Sequence, residues 1–180
     1  SSKTTARNHL VNVKKCWASL FTPRAIFYRL EKNMLKSKVS VAVVIQEMIQ
    51  SEVAGVCFTV HPVTRDYDQL VIEAGYGLGE AIVSGKITPD TYVVNKNGWK
   101  ILDKNIGTQK VFITRGKIGN TEKSISKQKQ NKQKLPDVKI LQLAKLCNKI
   151  ENHYKKPQDI EWAFTKGNFC IVQSRPITTL

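Results

Sequence analysis

Asp159, Glu161, Gln173 and Arg175 are the residues of this chain whose types and spacing best suit chemistry. They lie in two strand-like runs, Asp159-Ile160-Glu161-Trp162 and Ile171-Val172-Gln173-Ser174-Arg175-Pro176, joined through Lys166-Gly167-Asn168. Side chains alternate across a strand, so Ile160, Trp162 and Phe164 share one face and Asp159 and Glu161 the other. The same alternation puts Cys170 and Val172 on the apolar face and Gln173 and Arg175 on the polar one. A three-residue loop closing on the glycine sets Glu161 opposite Gln173 and Asp159 opposite Arg175. Carboxylates, an amide oxygen and a guanidinium then gather on one side of a hairpin whose other side is apolar. Hard oxygen donors suit Mg²⁺ and a guanidinium fork suits phosphate, so the expected chemistry is that of a magnesium nucleotide.

Positioning such a hairpin needs a packed domain. With 180 residues, 41% of them apolar, the chain is long enough for one ordinary domain with a core and a helical appendage. Leu10, Val13, Trp17, Leu20 and Phe21 recur at helical spacing, and Pro23 suits the first turn of a second helix running to about Asn33. Trp17 and Trp162 read most simply as core residues. Val41-Ala42-Val43-Val44-Ile45 is β-branched and nearly continuous, which predicts a strand covered on both faces. Val53 to Val60 and Gln69 to Ala74 read as further strands, with Gly55 a candidate bulge. Thr91 to Asn95 and Lys100 to Asp103 form a hairpin around Asn97-Gly98. Pro136-Asp137 starts a helix whose stripe is Ile140, Leu143, Ala144, Cys147, Ile150 and Tyr154, and Pro157 ends it. The order predicts an α+β fold, mostly antiparallel sheet with packed helices, preceded by an N-terminal helical pair. The expected division is a helical segment over 1–35 and a lobe over 36–180.

No apolar run approaches the about 18–20 residues that span a bilayer, so no membrane partner is expected. Four scattered cysteines (Cys16, Cys57, Cys147, Cys170) without a C-x-x-C pair argue against a zinc site or disulfide framework and for a reducing cytoplasm. The net charge is +15. Much of the excess is Lys117, Lys123, Lys127, Lys129, Lys132 and Lys134, in a polar stretch read as a flexible basic loop over 116–135. Its lysines lack interleaved aromatics, which argues against nucleic-acid recognition. A non-catalytic basic binding module is nonetheless the rival from another class.

Cys16-Trp17-Ala18-Ser19-Leu20-Phe21, Gln46-Glu47-Met48-Ile49, Gly55-Val56-Cys57-Phe58-Thr59 with His61-Pro62-Val63-Thr64, Gly75-Tyr76-Gly77-Leu78-Gly79-Glu80, Ile150-Glu151-x-His153-Tyr154 and the closing hairpin follow one another in order. Together they resemble the nucleotide-binding region of the pyruvate dikinase family, which includes phosphoenolpyruvate synthases (pyruvate, water dikinases), pyruvate phosphate dikinases and rifampicin phosphotransferases. The resemblance runs from about Leu10 to Thr178. It implies the C-terminal lobe of an ATP-grasp domain, with ATP and Mg²⁺ as cofactors. It also implies a parent transferase, a kinase that moves phosphoryl from ATP through a phosphohistidine to pyruvate. The first lobe, the phosphohistidine domain and the pyruvate-binding barrel of such an enzyme are then absent from this stretch, which alone is expected to be inactive. A rifampicin phosphotransferase-like kinase is the enzyme alternative.

At matching positions the resemblance makes Glu161 and Gln173 the metal ligands and Arg175 the holder of the terminal phosphates. The structural alternative for Arg175 is a salt bridge to Asp159. Asp159 is expected to orient Arg175 or a metal-bound water, since phosphoryl transfer relies on positioning and charge neutralisation more than on a strong base. Gln46, Glu47 and Met48 match the family's adenine hinge, with Met48 packing softly against the ring. The glycine-rich loop fits neither a P-loop nor a dinucleotide fingerprint. It reads as a segment that lets backbone approach the cleft, with Glu80 as a polar contact. His61 and His153 read as structural.

Overall fold

The computed structural model describes residues 2–116 and 119–178, with side chains from Asn8 onward. Lys117 of the basic stretch lies outside the described residues. The chain divides into two compact units, Ser1–Met48 and Ile49–Leu180, so the break falls after Met48 rather than after residue 35.

In the first unit α1 (Ser2–Ala18) leads through a 3-10 turn (Ser19–Phe21) to α2 (Pro23–Glu31). The junction is capped as its sequence suggests. The Thr22 hydroxyl accepts from the Ala25 N–H at 3.4 Å and donates to the Ser19 carbonyl at 2.9 Å, while Pro23 takes the first helical position. Trp17 is not a core residue: it is 53% exposed. Residues 38–51 form no strand, correcting the expectation for Val41–Ile45. Val44 and Ile45 are 84% and 68% exposed. A β-branched run becomes a strand only when another backbone pairs with it, and among the described residues none does.

The second unit holds an antiparallel sheet of order β4-β3-β2-β1-β7-β8. Its strands are β1 (Val53–Phe58), β2 (Gln69–Tyr76), β3 (Asp90–Asn95), β4 (Lys100–Asn105), β7 (Gln158–Thr165) and β8 (Asn168–Pro176). Helix α5 (Asp137–Tyr154) lays Ile140, Leu143, Ala144 and Cys147 on one sheet face. There they meet Cys57, Leu70, Ile72, Tyr92, Ile160 and Trp162, all buried. Lys155, in the left-handed region at φ 55, ends the helix two residues before Pro157.

Gly55 is no bulge, because β1 pairs in unbroken register with both β2 and β7. Its lack of a side chain answers a close approach: a Cβ there would stand 1.8 Å from the Glu73 carbonyl oxygen and 2.8 Å from the Trp162 ring.

The expected flexible loop over 116–135 is largely ordered. Strand β5 (Val111–Arg115) pairs with β6 (Asn120–Ser124), and a helical turn, α4 (Lys127–Gln130), follows. A short helix α3 (Glu80–Val83) with Leu78 packs beside Ile113 of this hairpin. The segment is held by groups distant in sequence. Lys134 is fully buried, and its ammonium meets Asp90 Oδ1 at 2.7 Å and the Gly107 carbonyl. Asp90 also accepts from the Gly107 and Lys134 N–H groups and, at 2.6 Å, from the Tyr92 hydroxyl. Burial and the Asp90 carboxylate push that hydroxyl well above the usual tyrosine range. The basic bias misled because one of its lysines is neutralised in the core.

Candidate functional site

The sheet has a second face, away from α5, and the closing hairpin contributes four polar side chains to it. Glu161 pairs with Gln173 and Asp159 with Arg175, as expected. The route differs from the one expected. Thr165 pairs with Asn168, so the turn has two central residues, Lys166 at φ 49 and Gly167 at φ 80. A register shift after Glu161 then inserts Val172 and restores the pairing that a longer loop would have given. The same shift corrects the face assignment of β8. Phe169 and Ile171, opposite Phe164 and Trp162, pack toward the core, and Cys170 faces away with Ala163.

Arg175 Nε donates to Asp159 Oδ2 at 2.8 Å, and Nη2 forms an ion pair with the same oxygen at 2.7 Å. Asp159 Oδ1 is buried without a hydrogen-bond partner. Arg175 itself is 61% exposed, with part of its fork still open. Its bond to Asp159, and then the Asp159 and Glu161 charges, push its proton affinity still higher, so it is a permanent cation. Glu161 is half-buried, and among the described residues no hydrogen bond or ion pair engages its carboxylate. Gln173 is exposed beside it.

Sequence reasoning missed one member of this face. Val56 pairs with Glu161 on one side and with Glu73 of β2 on the other, so Glu73, Glu161 and Gln173 form a row across the sheet. Burial, and next the Asp159 charge, raise the Glu73 carboxyl above the ordinary range. The signal was a carboxylate inside the apolar run Gln69–Ala74, but only the strand order shows where it points.

The donor set fits a divalent ion that arrives with its own oxygens. Among the described residues no three His, Cys, Asp or Glu side chains converge closely enough to ligate an ion unaided. Glu161 and Gln173 supply two hard donors, which leaves room for the phosphate oxygens and water that Mg²⁺ favours. The partnerless Asp159 oxygen is a further acceptor within the same face.

The other expected site residues belong to other segments of the chain. Gln46, Glu47 and Met48 close the first unit, all exposed, in a stretch without regular structure. The glycine-rich loop serves the β5–β6 hairpin: at Gly77, with φ +87, a Cβ would lie 2.4 Å from the Ile113 carbonyl oxygen. Glu80 accepts from the Asn120 amide at 2.6 Å, so it joins that hairpin too. His61 is structural, its Nδ1 accepting from the Val63 and Thr64 N–H groups at 3.3 and 3.2 Å.

Oxygen donors beside an arginine on one sheet face are groups that suit metal-bound phosphate, and comparison with known proteins shows a nucleotide-binding family. Residues 3–180 match the family model described as "Pyruvate phosphate dikinase, AMP/ATP-binding domain". The chain belongs to that family. It is 48% identical over 176 residues to a probable phosphoenolpyruvate synthase of Methanocaldococcus jannaschii, covering 97% of this chain and 15% of that protein. To a probable phosphoenolpyruvate synthase of Archaeoglobus fulgidus it is 53% identical over 169 residues, covering 93% of this chain and 22% of the relative. The rifampicin phosphotransferase of Bacillus subtilis is 45% identical over 172 residues, covering 95% and 20%. The chain thus spans between 15% and 22% of the length of these relatives.

Proposed function

We propose that this chain is the second lobe of an ATP-grasp domain, holding the magnesium-bound phosphates of ATP for a phosphoenolpyruvate synthase-like enzyme. The observation that carries the reading is the register of β7 with β8, which sets Glu161 beside Gln173 and Asp159 beside Arg175 on the face opposite the core. Glu161 and Gln173 would hold the cation. Arg175 would donate its remaining N–H groups to terminal phosphate oxygens, and Asp159, bonded to Nε and paired with Nη2, fixes the direction of that fork. Mg²⁺, when bound, supplies charge neutralisation at the transferring phosphoryl group. Gln46, Glu47 and Met48 are proposed contacts for the adenine edge, on the family resemblance.

The length of the relatives supports a parent enzyme with further domains. These would be a first phosphate-binding lobe, a phosphohistidine carrier and a pyruvate-binding barrel. Such an enzyme would work in the cytoplasm, where ATP is. Among the described residues no helix is long and apolar enough to cross a membrane. The 45% identity to the rifampicin enzyme favours a second reading, in which the same lobe serves an antibiotic kinase. The acceptor would differ and the nucleotide face would not.

The test is a calorimetric titration of ATP with and without Mg²⁺, on the wild-type chain and on Gln173→Ala. Magnesium-dependent binding that Gln173→Ala weakens supports the reading. Binding indifferent to both would remove it. Polynucleotide binding lost on deleting residues 116–134 would favour the basic-module rival instead. Phosphoenolpyruvate formation by these 180 residues alone would refute the dependence on further domains.

A further inference from the structure

The Glu73 carboxylate lies in the fold in a way its own interactions do not explain. It is half-buried, yet among the described residues it makes neither a hydrogen bond nor an ion pair, and its electrostatic neighbour is another carboxylate, Asp159. Partial burial disfavours a charged carboxylate, and a second negative charge beside it adds to the cost. Its setting is nevertheless firm. The Glu73 backbone is paired with Val56 on one side and Thr91 on the other, and Gly55 leaves room for its carbonyl. Two strand spacings, on the order of 10 Å, separate its backbone from that of Glu161. Two glutamate side chains reaching toward each other over Val56 can both approach one hydrated ion across that gap.

We propose that Glu73 is a positioning residue of the cation site, accepting hydrogen bonds from water on the ion held by Glu161 and Gln173. This rests on the functional reading above and deepens it. Three observations support it. Glu73 shares one row with both proposed ligands. Among the described residues no trio of acidic side chains is close enough for direct ligation, so Glu73 would meet the ion through water. Lastly, among the described residues Glu73 and Glu161 make no hydrogen bond or ion pair and Asp159 has one oxygen without a partner, while Arg175 is the guanidinium bonded on this face. A hydrated cation relieves all three, whereas Arg175 bonds directly to Asp159 and acts on Glu161 only through space. Carboxylates that orient a metal's ligands or waters typically set its affinity by ~10–100-fold.

The test uses Mn²⁺ as the probe, with the bound fraction read by electron paramagnetic resonance in the presence of a non-hydrolysable ATP analogue. Wild type, Glu73→Gln, Glu73→Asp and Glu161→Ala are compared, with thermal unfolding in metal-free buffer run alongside. Glu73→Gln should weaken Mn²⁺ binding by about tenfold or more while leaving the metal-free melting midpoint unchanged or raised. Glu73→Asp should keep part of the affinity. A merely structural glutamate would move the midpoint down and leave affinity alone, and that result overturns the proposal. So does Glu73→Gln binding within twofold of wild type. If Glu73→Gln fails to fold, Glu73→Asp decides: affinity weakened in a folded variant supports the role, and wild-type affinity overturns it. Failure of wild type to bind Mn²⁺ at all would sink the functional reading as well. Loss in Glu161→Ala alone would sink only the role of Glu73.

Discussion

Two of the carboxylate–cation pairs of the second unit contrast in one respect. Asp90 and Lys134 are wholly buried, and every oxygen of Asp90 accepts: from Lys134 Nζ, from the Gly107 and Lys134 N–H groups and from Tyr92. Asp159 and Arg175 are joined through one oxygen, leaving the other without a partner and the guanidinium largely in solvent. The first pair is closed on itself and pins the β5–β6 segment to the sheet. The second is open toward whatever comes to the face. Chemistry of the same kind, saturated or unsaturated, separates a structural element from the proposed binding one.

The largest effect that could break this contrast is on stability. Lys134→Met leaves Asp90 buried and uncompensated, and a loss of about 3–5 kcal/mol is expected by urea denaturation. Arg175→Ala should do the reverse. Its guanidinium is exposed, although Asp159 is only 12% so, and stability should fall by less than in Lys134→Met. Affinity for Mg·ATP should fall by ~10–100-fold, the equivalent of a charge-assisted hydrogen bond. If Arg175→Ala unfolds the chain while Lys134→Met spares it, the assignment of roles is inverted. Gly77→Ala sharpens the structural side, because the Cβ would collide with the Ile113 carbonyl at a positive φ. A cost of about 1–3 kcal/mol, with nucleotide affinity retained, is expected from parallel melting and binding curves.

The smallest effect concerns pH. Glu73 has its folded-state carboxyl raised by burial and by Asp159. Its contribution to stability is therefore full in acid, below the unfolded pKa, and lost as pH rises through the folded value. In metal-free buffer, Glu73→Gln should remove that part of the slope in urea midpoints, flattening the profile above the carboxylate range. An unchanged slope would mean Glu73 is not ionising against its surroundings.

How much of this was legible in the sequence follows from how local each feature is. The β7–β8 pairing was readable because two alternating runs flank a short glycine turn, although the turn is shorter than expected and a bulge makes up the difference. The stripe of α5 was readable from its period as far as Ile150, whereas Tyr154, expected to belong to it, is 56% exposed. The place of Glu73 was not, since it depends on β1 lying between β2 and β7, a non-local choice. The basic stretch misled for the same reason: Lys134 is ordered by Asp90, 44 residues earlier. Val41–Ile45 has strand composition without a pairing neighbour among the described residues, and composition alone does not supply one.

The most direct measurement is the magnesium dependence of ATP binding in Glu161→Ala against wild type, followed by calorimetry on the folded chains. Wild type should bind ATP more tightly when Mg²⁺ is added, and Glu161→Ala should bind it equally weakly with or without the ion. An undiminished magnesium effect in Glu161→Ala would show that the open face of the closing hairpin is not where the cation rests.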